Sequence, residues 1–199
     1  MKAVCFFARH GQAGNSEPRI LGTTDLPLGT RGMRQAQKLA QRLEGVPIEC
    51  VWSSHLARAR QTAEAIAWAV GAPLRLHPGL GEMNFGDWEG RFAREILLSE
   101  DFSRWARHPL ENSPPGGETL LGLSERVLAA WEEVLDSWAG GNIAVVAHGG
   151  PLRVLIGHLV GIPLEAIHRI CQDHAGLSLV TMEPEPRLLL LNDPCHAQD

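Results

Sequence analysis

A three-layer α/β/α sandwich around a mostly parallel central sheet is the fold class this sequence predicts. Three observations support it. Short apolar runs at about residues 3 to 8, 49 to 53 and 143 to 147 have the length and continuity of strands buried on both faces. Segments of helical periodicity separate these runs, and alternating strand and helix implies a parallel sheet covered on both sides. At 199 residues, the span from 1 to 199 fits one domain that can bury a core without disulfide or metal support.

The first run ends abruptly in Arg9-His10-Gly11. A buried strand that stops in a cation, an imidazole and a glycine delivers reactive groups to the C-terminal edge of a sheet, where open α/β sheets bind ligands. Thr30 is a candidate cap for a helix through Leu39, Ala40 and Leu43, which Gly45 and Pro47 end. After the second strand, Arg58 falls in the first turn of a helix running through Ala63, Ile66 and Val70 to Gly71. The stretch from 85 to 117 is less regular, punctuated by Trp88, Trp105, Pro109 and Pro114-Pro115. Such a segment between core elements is a candidate lid, and Trp105 and His108 lie within it. A long helix from about Glu118 to Trp138 carries Leu121, Leu128, Trp131 and Leu135 toward the core, and Gly140-Gly141 stops it. The third run, Ile143 to Ala147, leads directly into His148-Gly149-Gly150 and repeats the pattern of the first. Leu177 to Met182 and Arg187 to Leu191 read as an edge hairpin turning near Pro184, with a poorly ordered tail beyond Asp193.

A formal charge of -5 argues against nucleic acid or an anionic membrane as partner, since those binders carry a basic excess. Sixteen of the eighteen basic residues are arginine, which suits forked recognition of oxyanions, although a codon bias would give the same count. Cys5, Cys50, Cys171 and Cys195 are scattered, with no pair or Cys/His cluster at zinc-ligand spacing. Free thiols in a reducing compartment are therefore expected, and no metal. Neither a signal peptide nor a membrane span can be read from the chain, so a cytoplasmic protein is expected.

Neutral imidazole is a competent nucleophile toward phosphorus when one ring nitrogen is held as a donor and the other keeps its lone pair. His10 at a strand end suits that role. Phosphoryl transfer also needs the charge on the phosphate oxygens neutralised. Arg9 and Arg58 are clamps for it, the first-turn amides of the Arg58 helix add donors, and a protonated His148 is a third cation. A leaving alkoxide needs a proton, and Glu82 is the best-placed carboxyl, with Phe85 and Trp88 to desolvate it; Asp87 and Glu89 remain rivals. Arg60 reads as part of a solvated helix face. His77, His108, His158, His168, His174 and His196 have no useful partner spacing and read as structural or surface residues.

Taken in order, these residues resemble the histidine phosphatase superfamily in its phosphoglycerate-mutase-like branch. The resemblance rests on Phe7-Ala8-Arg9-His10-Gly11-Gln12, Gly22-Thr23-Thr24-Asp25-Leu26-Pro27-Leu28, Ser53 to Ala63, the Glu82 segment, Pro115-Gly116-Gly117-Glu118-Thr119 and Ala147-His148-Gly149-Gly150. It implies a metal-free and cofactor-free phosphomonoesterase acting on a phosphorylated small molecule. His10 would be the phosphorylated nucleophile, Glu82 the proton donor, and Arg9, Gly11, Asn15, Arg58, His148 and Gly149 the phosphate contacts. Within the family, the run Phe85-Gly86-Asp87-Trp88-Glu89 and the compact length are most similar to α-ribazole phosphatases, which implies a place in cobalamin nucleotide-loop assembly. The alternatives are a broad-specificity sugar-phosphate or nucleotide phosphatase, a phosphoglycerate mutase, and a non-catalytic phospholigand-binding protein. A homodimer is a candidate assembly. The chain departs from the family pattern at Ala13, where Thr or Ser is common, and at His55, often acidic or otherwise polar. Asn15 stands one position early, in a loop one residue shorter than usual.

Overall fold

The computed structural model of the protein describes residues 3–14, 17–182 and 184–197. In chain order its elements are β1 (Val4–Arg9), α1 (Thr30–Leu43), β2 (Ile48–Ser53), α2 (Ala57–Val70), β3 (Leu74–Leu76), α3 (Ala93–Leu97), α4 (Glu100–Arg107), α5 (Leu120–Asp136), β4 (Asn142–Ala147), α6 (Gly149–Val160), β5 (Leu177–Thr181) and β6 (Arg187–Asp193). The six strands form one sheet in the order β3-β2-β4-β1-β5-β6. The first four are mutually parallel, whereas β5 runs antiparallel to β1 and β6 antiparallel to β5. The expected edge hairpin is β5–β6.

Alternation along the strands explains why both faces are covered. Cys5 and Phe7 of β1, with Ile143, Val145 and Ala147 of β4, pack against Leu123, Val127 and Trp131 of α5 and Leu152 and Leu155 of α6. The intervening Phe6, Ala8, Ala144 and Val146 pack against Leu39 and Leu43 of α1 and Ala59, Ala63 and Ile66 of α2. Successive side chains of a strand point to opposite faces, so a strand sandwiched between helices must be apolar at every position.

Several expectations need correction. Thr30 is the first helical residue of α1 rather than its cap; the cap position is Gly29, with no side-chain bond. The long helix begins at Leu120, and the Thr119 hydroxyl accepts the Gly122 amide. Leu121 faces outward, 49% exposed, while its neighbours Leu120 and Leu123 take the buried positions. The tail beyond Asp193 is tied down as far as it is described. Cys195–Ala197 forms a short 3-10 turn against α1, and Arg42 reaches both Asp193 Oδ2 at 2.7 Å and His196 Nδ1 at 2.8 Å.

Register sets up the chemistry. Arg9 lies opposite Ala147, so the next residues, His10 and His148, leave adjacent parallel strands side by side, and the His10 amide donates to Ala147 O at 3.1 Å. β2 ends at the same edge, where the Ser54 amide donates to Val146 O at 3.1 Å. The loop after β1 is latched to both helices of one layer: Gly11 N donates to Thr62 Oγ1 at 3.1 Å and Gln12 N to Gln35 Oε1 at 2.9 Å. Backbone meets backbone here, because a Cβ on Gly11 would stand 2.5 Å from the Gly32 carbonyl oxygen, and one on Gly32 would overlap the Gln12 carbonyl. Gly32→Ala should therefore push the loop off α1, at a cost of about 1–3 kcal/mol typical of overpacking. Urea unfolding measures it, and an unchanged midpoint would show that the contact is slack.

Candidate active site

Five segments converge on a cavity of about 400 Å³ at this edge, lined by Arg9, His10, Arg19, Arg58, Glu82, Phe85, Gly149, Arg153 and His174 among others. The structure thus brings together Arg9, His10, Gly149, Arg58 and Glu82. His148 stands directly behind, fully buried, its ring centroid 4.9 Å from that of His10 in an edge-on arrangement. Gly11 lies in the adjoining loop. Asn15 falls outside the described residues.

His10 Nδ1 is 2.7 Å from the Gly11 carbonyl oxygen. A carbonyl only accepts, so Nδ1 carries the proton and the neutral ring keeps its lone pair on Nε2. Burial, then His148, Arg9 and Arg58, push the His10 pKa well below its ordinary value, which keeps the ring neutral. His148 Nε2 lies 2.8 Å from Ser54 Oγ, which in turn accepts the Leu56 amide at 3.2 Å. With the Ser54 hydroxyl donating to Nε2, the His148 proton sits on Nδ1, a buried atom with no partner among the described residues. Burial, then Arg58 and Arg9, hold His148 well below the usual histidine range, so it is neutral here; the third cation of the sequence reading is conditional on a phosphate beside it.

The arginines are held by backbone carbonyls. Arg58, only 1% exposed, donates from Nη1 to Thr24 O at 2.8 Å and from Nη2 to Gly22 O at 2.7 Å. Arg9 Nη1 donates to Gln172 O at 2.5 Å, and Arg153 Nε to Ile170 O at 2.8 Å. Carbonyls fix the guanidinium planes without cancelling their charge. The Nε atoms of both Arg9 and Arg58 are buried and lack a partner among the described residues. By contrast, the first-turn amides of α2 are largely spent: Ala57 N donates to Asp25 Oδ1 at 2.6 Å, while Ala59 N and Arg60 N return to Leu56 O. Ala57, Ala59 and Arg60 are thereby removed from the expected ligand donors, and Arg60 is a surface residue paired with Glu64.

Among the three rival carboxylates, geometry separates two. Glu89 is an anchor: it accepts the amides of Gly22, Thr23, Thr24 and Phe85 and, at 2.6 Å, the Thr24 hydroxyl. Burial pulls its pKa up, but these hydrogen bonds outweigh it and hold Glu89 below the ordinary carboxylate range. The loop it pins is the one whose carbonyls grip Arg58. Glu82 lines the cavity, with Oε1 accepting Met83 N at 2.9 Å and Gly150 N, in the first turn of α6, at 3.1 Å. Trp88 does not flank it; that ring is 4% exposed within an aromatic cluster with Phe102 and Trp105.

Sequence reasoning missed three contributors. His174, dismissed as structural or surface, lines the cavity 5.5 Å from the His10 ring, with its pKa lowered to about 3, mainly by burial and then by Arg9. Its loop is tied to the first strand end, since Ala175 N donates to His10 O. Arg153, one turn along α6, also lines the cavity. Arg126 of α5 donates to the carbonyls of Gly79, Gly81 and Glu82 at 2.8–2.9 Å and forks onto Glu118 at 2.6 and 3.0 Å. It clasps the segment that presents Glu82. Within the Pro115 to Thr119 block, Thr119 caps a helix and Glu118 fixes the clasp. Only His174 carried a usable signal, a polar pair before the last strands.

Buried guanidinium groups held by carbonyls rather than by an ion pair among the described residues favour an anionic ligand, and two neutral histidines beside them can handle a phosphoryl group. The chain belongs to the histidine phosphatase superfamily (branch 1), whose family model matches residues 5–194. As a member it is a phosphoric monoester hydrolase. It is 36% identical over 175 residues to the adenosylcobalamin/alpha-ribazole phosphatase of Escherichia coli K12, covering 86% of each chain. It is 34% identical over 188 residues to the probable phosphoglycerate mutase GpmB of Cronobacter sakazakii, covering 92% of this chain and 86% of that one. The crystal structure of the alpha-ribazole phosphatase from Shigella flexneri superposes with a TM-score of 0.86 at 31% identity, covering 96% of both chains. Among the described residues no helix is long and apolar enough to cross a membrane.

Three buried imidazoles make stability depend on pH. His10, His148 and His174 titrate below their ordinary value near 6.5 in the folded state. Below pH 6.5 the unfolded chain therefore binds protons that the folded one refuses, and unfolding free energy falls as pH falls. Each contributes a slope approaching about 1.4 kcal/mol per pH unit. Urea midpoints should decline steadily from pH 7 to 5, above the carboxylate range, and His174→Gln should flatten the decline. A flat profile in the native protein would mean these rings are not neutral when folded.

Proposed function

We propose that the protein hydrolyses phosphomonoesters through a phosphohistidine on His10, and that its substrate is α-ribazole 5′-phosphate. The observation that carries the mechanism is the Nδ1 contact of His10 with the Gly11 carbonyl, 2.7 Å long, which leaves Nε2 as the free nucleophilic nitrogen in a cavity walled by arginines. In the first step Nε2 attacks phosphorus, the P–N bond forms and the ester P–O bond breaks. Arg9 and Arg58 hold the phosphoryl oxygens, with the Gly149 end of α6, and Asn15 is retained as a further contact from the sequence pattern. The incoming dianion supplies the opposite charge that lets neutral His148 take up a proton and act as a donor. Glu82 protonates the departing alkoxide. In the second step the Glu82 carboxylate takes a proton from water, the hydroxide equivalent attacks phosphorus, the P–N bond breaks, and inorganic phosphate leaves with His10 neutral again.

The substrate assignment is supported by similarity to the relatives from E. coli and S. flexneri named as α-ribazole phosphatases. The relative named as a probable phosphoglycerate mutase supports a second reading. That reading needs phosphoryl return to the same substrate in a site closed to water, and the segment from Glu82 to His148 is short for an enclosing insertion. Hydrolysis outrunning isomerisation on 3-phosphoglycerate separates the two.

Brief mixing with labelled substrate and an alkaline quench should leave acid-labile label on His10, and His10→Ala should abolish both label and turnover. Label on another residue, or turnover surviving the substitution, overturns the mechanism. The acid is read separately. Alkyl phosphates expel a strongly basic alkoxide and need its proton in the transition state, whereas p-nitrophenolate leaves largely without one. Glu82→Gln should lower kcat/KM for alkyl esters by about 10²–10⁴-fold, within the range of general acid catalysis, and far less for p-nitrophenyl phosphate. Equal losses on both, with the leaving-group dependence appearing instead in Asp87→Asn, would move the acid to Asp87.

A further inference from the structure

A second cavity, about 370 Å³, adjoins the first and shares Glu82, Phe85 and Arg153 with it. Its character is different. One wall is the face of α4 that carries Phe102, Trp105 and Ala106; the other is built from Leu123 of α5 and Leu164 and Ile167 after α6. The residues Phe102, Trp105 and Ala106 are spaced i, i+3, i+4 and so form one apolar stripe, yet α4 buries no residue fully. Its apolar face looks onto this cavity, with Trp105 also packing against the edge of the core. The wall is firm, because Trp105 packs edge-on against Phe85 and Trp88 at centroid distances of 6.3 and 5.8 Å and tilts against Phe102 at 5.7 Å. In addition, the Trp105 indole N–H is buried with no acceptor among the described residues, a deficit that a bound acceptor with modest repacking would relieve.

The shared wall fixes the direction of departure. A general acid must lie within hydrogen-bond reach of the leaving oxygen, and Glu82 is the carboxylate common to the two cavities. We propose that the second cavity binds the alcohol half of the substrate, and that this half carries a flat, largely apolar ring system with a hydrogen-bond acceptor. This rests on the phosphomonoesterase reading above and deepens it. Apolar walls offer few partners to a bare sugar, whose hydroxyls would lose water without replacement. A fused aromatic ring buries its faces between Trp105 and Ile167 at no such cost. A site of this volume lies within the usual range for small-molecule pockets.

Equilibrium binding tests the subsite apart from the chemistry. Calorimetry on His10→Ala protein, which cannot form the phosphohistidine, compares α-ribazole 5′-phosphate with ribose 5-phosphate, and 2-phenylethyl phosphate with ethyl phosphate. The ring-bearing member of each pair should bind at least tenfold tighter. Ala106 is exposed on α4 and lines the cavity, so adding Ala106→Trp fills the space without burying new surface in the core. It should erase most of the advantage while the ringless esters bind within twofold, which also certifies the fold. A ring advantage absent from both pairs, or surviving both Ala106→Trp and Leu164→Arg, overturns the proposal. If 2-phenylethyl phosphate gains and α-ribazole 5′-phosphate does not, the subsite stands and the substrate assignment falls. If the ring advantage persists while native protein hydrolyses none of the four esters, the subsite stands and the phosphatase mechanism falls.

Discussion

Parallel pairing of β1 with β4, in the register that sets Arg9 against Ala147, is the constraint from which the site follows. A parallel ladder brings both strands to the same edge. One residue beyond the pair, two imidazoles meet at 4.9 Å, a separation no local sequence motif could arrange across 137 intervening positions. A register slip of one residue would turn Phe7 and Val145 away from α5 and α6 and set both histidines on the wrong side, so core packing and site geometry enforce each other. The helices latch the same loop from the opposite layer, where Gly11 and Gly32 allow their backbones to touch.

Charge is the second organising theme. Desolvated guanidinium groups are costly, and the protein offsets the cost with carbonyl oxygens from Gly22, Thr24, Gln172 and Ile170, which leave positive potential in the cavity. That potential, with burial, depresses the histidines and keeps them neutral until an anion arrives. The carboxylates near the site act at one remove: Glu89 holds the loop that holds Arg58, and Glu118 holds the arginine that holds the Glu82 segment. An ion pair placed directly on Arg9 or Arg58 would have given more stability to the empty site and less attraction for phosphate.

Much of the frame was legible because strands buried on both faces are apolar at every position, and because each active histidine directly follows such a run. The three-residue strand β3 escaped: Arg75 and Leu76 are exposed, so Leu74–Leu76 has neither alternation nor an apolar run to mark it. His174 escaped for a different reason. It reaches the site from a loop whose path is set by hydrogen bonds to His10 and Arg9, partners more than 160 residues away. The same holds for Arg126, which on its own helix is one more charged residue, and for the demotion of Glu89, decided entirely by which amides surround it. Sequence spacing resolves what one element does; these roles are relations between elements. Leu121 illustrates the limit within one helix, since three leucines in four positions leave the inward face undetermined until α6 and the sheet select Leu120 and Leu123.

The position of Glu82 joins these themes to specificity. Its side chain is tied to Gly150, in the first turn of the helix that also begins with Gly149 beside His148. In the proposed mechanism, phosphate contacts and acid are therefore referenced to one rigid element, and Arg126 holds the Glu82 backbone from behind. The segment from Ala93 to Arg107 borders that frame: Ala93 N donates to Pro18 O and Trp105 packs on Phe85, both at the first cavity, while its aromatic side chains wall the adjoining one. On the proposed reading, the exposed α4 position Ala106 faces what lies beyond the ester oxygen, whereas Trp105 also braces Phe85 and Trp88. A chain built this way can change substrate by altering one short helix, which is reason to look to Phe102, Trp105 and Ala106, rather than to the histidines, for what sets this protein apart from relatives that share its phosphate site.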